Sequence, residues 1–174
     1  MADVVTRSTQ PSLAAIKLAW WRKRLEELDQ GKLPAEPRLQ AAAAELLPRG
    51  ISGAELAEIE DGWAALLQET PDAERALDRG AKLFELGARL LDGEAPGLLA
   101  PAGRLYAAGS LQRRGLAPAG ASAITPLQRV PSAYRCLTGL AALARRDLHR
   151  REAEATPGRA WTLLRHQLTG RFPR

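Results

Sequence analysis

The sequence predicts an all-α protein, and three observations carry that prediction. Ala, Leu, Arg and Glu dominate, β-branched residues hardly cluster, and aromatics make up only 5% of the chain, a composition that favours helix over strand. Apolar residues recur at helical spacing: positions 14, 18, 21, 25 and 28 follow i, i+4, i+7, i+11, i+14, and Leu13, Ile16 and Trp20 form a second stripe beside them. Pro and Gly fall between such patterns, where helices start and stop. With 174 residues the chain can bury a real core, and 1–174 reads as a single domain.

About seven helices follow from start and stop signals. The first runs from about Ser12 to Gln30, with Ser8 or Thr9 as cap and Gly31 at its C-terminal side. The second runs from Pro37 to about Leu47 and is stopped by Pro48 and Gly50. Ser52-Gly-Ala-Glu55 is a capping box, in which the serine oxygen takes one orphan backbone N–H and the glutamate returns the bond; a third helix follows to about Gln68. Thr70 as cap with Pro71 at the first helical position opens a fourth, to about Leu91. A fifth spans roughly Ala102 to Arg114, and Gly115 to Pro131 is the least regular segment. Ser132 to about Arg151 forms the sixth, and Thr156-Pro157 opens a last helix ending near Gly170. There is no internal repeat and no low-complexity tail.

Charge divides the chain more sharply than the net of +5 suggests. Residues 1–100 carry 12 basic and 17 acidic side chains, and residues 101–174 carry 13 basic and 3 acidic. All 13 are arginines. Guanidinium groups grip phosphate in two-point fashion, so this half suits a diphosphate, anionic lipid headgroups or nucleic acid; biased codon usage accounts for Arg over Lys but not for the shortage of acids. Nucleic acid ranks last, because the basic half lacks interleaved aromatics or a reading-head motif. Arg145, Arg146, Arg150 and Arg151, clustered at one helix end, are the candidate anion- or membrane-binding residues. The apolar runs are too short to span a bilayer and no basic-then-apolar leader opens the chain, which predicts a cytoplasmic protein with at most peripheral contact with the inner membrane.

Several short motifs, in order along nearly the whole chain, resemble the divergent bacterial branch of the squalene/phytoene synthase family. They are Leu18-Ala-Trp-Trp-Arg22 with Leu25, Pro34-Ala-Glu-Pro37, Leu47-Pro-Arg-Gly-Ile-Ser-Gly53 and Glu60-Asp-Gly-Trp63. Toward the C-terminus they continue as Leu143-Ala-Arg-Arg-Asp-Leu148, Pro157-Gly-Arg-Ala-Trp-Thr-Leu-Leu-Arg-His166 and Leu168-Thr-Gly-Arg171. The resemblance implies an isoprenoid/terpenoid synthase-like helical bundle of which this chain matches roughly the last two thirds, lacking N-terminal helices. Members of the family join two prenyl diphosphates, and Mg²⁺ held by two Asp-rich helices stabilises the departing diphosphate. This sequence contains no Asp-x-x-x-Asp. The first such motif would fall at or before Met1, where only Asp3 stands. The second would fall in Leu105-Tyr-Ala-Ala-Gly-Ser-Leu-Gln-Arg-Arg114, where arginine replaces aspartate and would repel the metal. No catalytic residue, metal ligand or cofactor is therefore assigned.

On the same resemblance Trp20, Trp21, Leu25, Trp63 and Tyr106 line a substrate cavity, although adjacent tryptophans about 100° apart on a helix also suit packing against two neighbours. Glu74 with Asp78, and Glu55, Glu58 and Asp61, are the acidic sets that could substitute for the lost metal site; near helix N-termini they equally suit solvated faces. Cys136 reads as a small buried residue, and His149 and His166 as surface. Two function classes follow. One is a catalytically degenerate member acting as a binding or assembly factor, as relatives of this branch do in maturing respiratory complexes, with a second copy or a partner protein covering the apolar groove left by the absent helices. The other is a prenyl-diphosphate-handling transferase, or a fragment of one, completed by another chain.

Overall fold

A computed structural model describes residues 1–8, 10–92, 97–116, 124, 129–150 and 152–173. Among the described residues the chain is helical without strands: α1 (Ala2–Arg7), α2 (Pro11–Leu28), α3 (Pro37–Glu45), α4 (Gly53–Ala64), α5 (Ala73–Asp92), α6 (Ala100–Arg113), α7 (Arg135–Arg150) and α8 (Pro157–Thr169), with short 3₁₀ turns between some of them. No described helix is long and apolar enough to cross a membrane. The chain divides into two compact units, Met1–Ala76 and Leu77–Arg174.

Local capping explains most boundaries. Ser52 Oγ accepts from Glu55 N at 3.1 Å, and Glu55 returns the bond to Ser52 N at 3.0 Å, so the capping box opens α4 as the sequence predicts. Glu36 caps α3 by accepting from Leu39 N, and Gly170, with φ +68°, ends α8 in the left-handed conformation. Three boundaries differ from expectation. The short α1 carries no sequence signal strong enough to predict it. The expected cap Ser8 bonds instead to the Gln10 carbonyl and Thr9 lies outside the described residues, while α2 starts at Pro11. Asp72 rather than Thr70 caps α5, its Oδ1 accepting from Arg75 N at 3.1 Å, because a carboxylate two residues on is the better acceptor for the orphan donors.

In the first unit Leu25, Leu28, Leu39 and Ala57 form the core, with Trp21, Leu47 and Leu56 packed around it. α4 begins against the C-terminal turn of α2. A Cβ on Gly53 would overlap the Leu25 carbonyl, and Asp29 Oδ1 and Oδ2 accept from Gly53 N and Ala54 N at 2.6 and 2.9 Å. Asp29 thereby adds a second carboxylate to the positive end of α4.

In the second unit small residues set the helix spacing. A Cβ on Gly80 of α5 would lie 2.7 Å from Ala107 Cβ and closer still to the Gly103 carbonyl of α6. Gly109 of α6 abuts Ala144 of α7 in the same way. The alanine richness of this half therefore serves close helix packing. Phe84, Leu99, Leu105, Val130, Tyr134 and Phe172 fill the remaining core.

Candidate ligand-binding sites

The first unit brings two of its sequence motifs together. Arg22, which closes the Trp-Trp-Arg motif on α2, donates from Nε to Glu60 at 2.6 Å and reaches Asp61 from Nη2 at 3.5 Å, both on α4. Glu60 is buried, so its charge is tolerable only with such a partner. Arg75 grips the outer face of Asp61 from Nε at 3.0 Å, and that bond raises the Arg75 pKa above its ordinary range. Beside this cluster lies an open cavity of about 520 Å³, with Ala15, Ala19, Ala64 and Leu67 on its apolar side and Arg22, Glu60, Asp61 and Gln68 on its polar side. That volume is in the range of small-molecule sites.

The second unit repeats the theme with Asp147. The Gly109–Ala144 contact brings α6 and α7 close enough that Arg113, one turn on, donates from Nε to Asp147 Oδ2 at 2.7 Å. Arg159 of α8 takes the other oxygen, and Gln112 donates to the Asp147 carbonyl at 3.2 Å. Asp147 is 4% exposed, and its hydrogen bond raises the Arg113 pKa. A cavity of about 180 Å³ opens here, with Tyr106, Leu140 and Leu143 on its apolar side and Ser110, Arg113, Arg114 and Arg159 on its polar side. Arg79 is also buried in this unit, its Nη2 donating to the Ala107 carbonyl at 3.5 Å. Burial lowers its pKa to about 10 and the charge of Arg114 pushes the same way, so it stays cationic at neutral pH.

The residues expected to line one cavity fall in both units. Trp21 and Leu25 pack into the first core, Trp63 is buried, and Trp20 is 42% exposed, edge-on to Trp21 at 5.2 Å between centroids with Arg24 over its ring. Leu28, on the same stripe as Trp21 and Leu25, is buried as well, whereas the stripe of Leu13, Ile16 and Trp20 stays exposed. Tyr106 belongs to the second unit and lines the cavity beside Asp147. The arginine cluster is partly neutralised: Arg146 forks onto Glu152 at 2.6 and 3.0 Å and holds its pKa down, and Arg150 lies 4.0 Å from the same carboxylate. Arg145 is half-buried, and Arg151 lies outside the described residues. Of the acidic sets, Asp78 pairs with Arg104, Glu55 belongs to the capping box, and Asp61 is held by two arginines.

Two expectations are overturned outright. Cys136 is exposed, because it lies on the outer side of α7, opposite Thr138, Ala141 and Ala142. His166 is fully buried on the inner side of α8: Nδ1 donates to the Arg171 carbonyl at 3.0 Å, Nε2 lies 2.9 Å from Thr138 Oγ1, and the ring lies tilted against Phe172, 5.1 Å between centroids. A carbonyl can only accept, so the neutral ring carries its proton on Nδ1. Burial lowers the pKa and Arg135 opposes the cation further. Below the free value of 6.5 the unfolded chain takes up a proton that the folded chain resists, so stability falls as pH drops through that value. We expect melting curves from neutral to mildly acidic pH to show this loss and His166→Gln to flatten it; an equal slope in the variant would show that other groups carry the acid sensitivity.

Glu60 and Asp147 were legible only in part. Glu60 follows Ala57 by three positions on the buried face of α4, and Asp147 follows Ala144 by three on that of α7. A carboxylate in phase with an apolar stripe demands a cation, but the identity of that cation depends on tertiary packing. Among the described residues no group of three or more His, Cys, Asp and Glu is placed to hold a metal ion. Compared with protein-family models, curated proteins and solved structures, the chain matches none.

Proposed function

We propose that the chain is a catalytically degenerate relative of the squalene/phytoene synthases, built on part of a terpenoid synthase-like bundle, that binds an anionic amphiphile or a partner rather than joining prenyl chains. The observation that carries this reading is the state of the carboxylates at the two cavities. Glu60, Asp61 and Asp147 are each held by arginine, and Arg113 projects from the helix in which the resemblance would put the second metal-binding motif of the family. A carboxylate neutralised in this way would have to lose its guanidinium before it could ligate Mg²⁺, at a cost of several kcal/mol for a buried pair.

The cavities support binding. The cavity beside Asp147 has an apolar side next to Arg113, Arg114 and Arg159, the pairing that a prenyl diphosphate offers in reverse, whereas Arg22 at the other cavity is already engaged by Glu60 and Asp61. At about 180 Å³ the cavity beside Asp147 accommodates a headgroup and the start of a chain rather than a whole isoprenoid, since sites for drug-sized ligands begin at roughly 300 Å³. Of the expected groove residues only Trp20 stays exposed, and with Leu13 and Ile16 it forms an apolar stripe that a partner could cover.

The purified chain, given farnesyl or geranylgeranyl diphosphate and Mg²⁺, is expected to release no diphosphate above a heat-killed control. Metal-dependent release would favour the transferase alternative, and alanine at Glu74 and Asp78 would then show whether that acidic pair supports it. Isothermal titration with farnesyl diphosphate should detect binding that Arg114→Glu weakens. Among the described residues the side chain of Arg114 bonds within its own helix turn, to Ser110, and not to Asp147, so its reversal leaves the Asp147 clamp intact.

A further inference from the structure

We infer that the outer face of α8 is a docking surface for an anionic lipid bilayer, on which the helix lies in the plane of the membrane. This inference is independent of the proposed family relationship. Trp161, Leu164 and Leu168 are 65, 49 and 70% exposed and follow i, i+3, i+7, which puts them within an arc of about 60° on the helix. The opposite face is anchored in the second unit by buried Thr162 and His166. A helix held by one face and presenting Trp and two Leu on the other leaves an apolar stripe in water, which large single patches on soluble surfaces seldom do without an occupant.

Charge identifies that occupant. Residues 155–174 contain four arginines and no Asp or Glu. Arg165, one step around the helix from Trp161, and Arg171 are both exposed, and Arg135 binds the carbonyls of Gln167 and Leu168 at 3.1 Å, adding its charge to the C-terminal end of α8. A second copy of this chain would set these cations against their own kind, whereas lipid phosphates neutralise them. Trp and Leu at the acyl boundary with arginines at the headgroups is the arrangement of an interfacial helix. With 13 residues α8 is about 20 Å long, too short to span a core of roughly 30 Å, so it lies on the bilayer rather than across it.

Sedimentation of the full chain with vesicles of phosphatidylglycerol in phosphatidylcholine, and of phosphatidylcholine alone, tests this at low and high salt. Binding should require the anionic lipid and weaken with salt. Trp161→Ser combined with Leu168→Ser should reduce the partition coefficient about tenfold or more, and Arg165→Glu combined with Arg171→Glu should do the same through charge alone. All four side chains are exposed, so thermal melting should be unchanged; if the apolar pair disturbs folding, the charge pair decides. Absence of binding to anionic vesicles, equal binding to neutral ones, or variants that bind like the parent would each overturn the inference. So would a concentration-dependent dimer that Trp161→Ser abolishes, because the stripe would then be covered by a second copy.

Discussion

Asp147→Ala should destabilise the second unit by about 3 to 5 kcal/mol, the typical cost of stripping one partner from a buried ion pair. Both carboxylate oxygens are engaged; Arg159, its side chain only 14% exposed, would lose this counter-charge where water reaches it poorly, while Arg113 would keep its longer pair with Glu154 at 3.7 Å. The variant also removes the side chain that ties α6, α7 and α8 together at one point. For a unit of this size the loss corresponds to a fall in melting temperature of roughly 15 °C or more. Urea denaturation of the parent and of Asp147→Ala, with Asp147→Asn to keep the shape, measures it. A cost under about 1 kcal/mol would mean that the arginines find other acceptors and that the cluster behaves as an ordinary surface pair.

Gly80→Val should be the most disruptive substitution outside the charged cluster. Even the first carbon of a side chain there would overlap the Gly103 carbonyl and lie 2.7 Å from Ala107 Cβ, and backbone cannot yield as a flexible side chain can. Separating α5 from α6 removes contacts along their whole seam, so we expect a loss of about 3 kcal/mol, at the upper end for overpacking, or outright failure of the second unit to fold. Gly103→Val should match it, because the two glycines face each other. Gly50→Ala is the comparison: nothing lies within 4 Å, and its φ of +75° costs only about 1 to 2 kcal/mol for a residue with a Cβ. Circular dichroism melts of the three variants rank these effects; equal losses at Gly80 and Gly50 would show that conformation rather than close approach governs both.

The capping box at Ser52 and Glu55, the openings at Pro37 and Pro157, and the stop at Gly170 all depend on groups within four residues of each other, so the local chain contains everything needed to locate them. The all-helical class followed from the same short-range periodicity. Where two local signals competed, as at Thr70-Pro71 and Asp72, the stronger acceptor decided, and the difference was two residues.

Side-chain roles were not local. Trp20 and Trp21 sit on neighbouring positions of one helix, yet one indole packs against the core cluster of Leu25, Leu28, Leu39 and Ala57 and the other faces solvent under Arg24, a choice made by where α3 and α4 lie. His166 reads as polar and terminal but is buried because α8 turns that side toward Thr138 and Phe172, which in turn leaves Trp161, Leu164 and Leu168 outside. Arg22 finds Glu60 across 38 residues and Arg113 finds Asp147 across 34. The sequence by itself determined the seven longer helices, most of their ends and the segregation of charge, since these arise from spacing and composition. Which carboxylates are neutralised, which aromatic is buried and which helix face is offered to a ligand were decided only by tertiary structure, because each depends on the approach of helices whose separation is set by glycine and alanine contacts that no local pattern reveals.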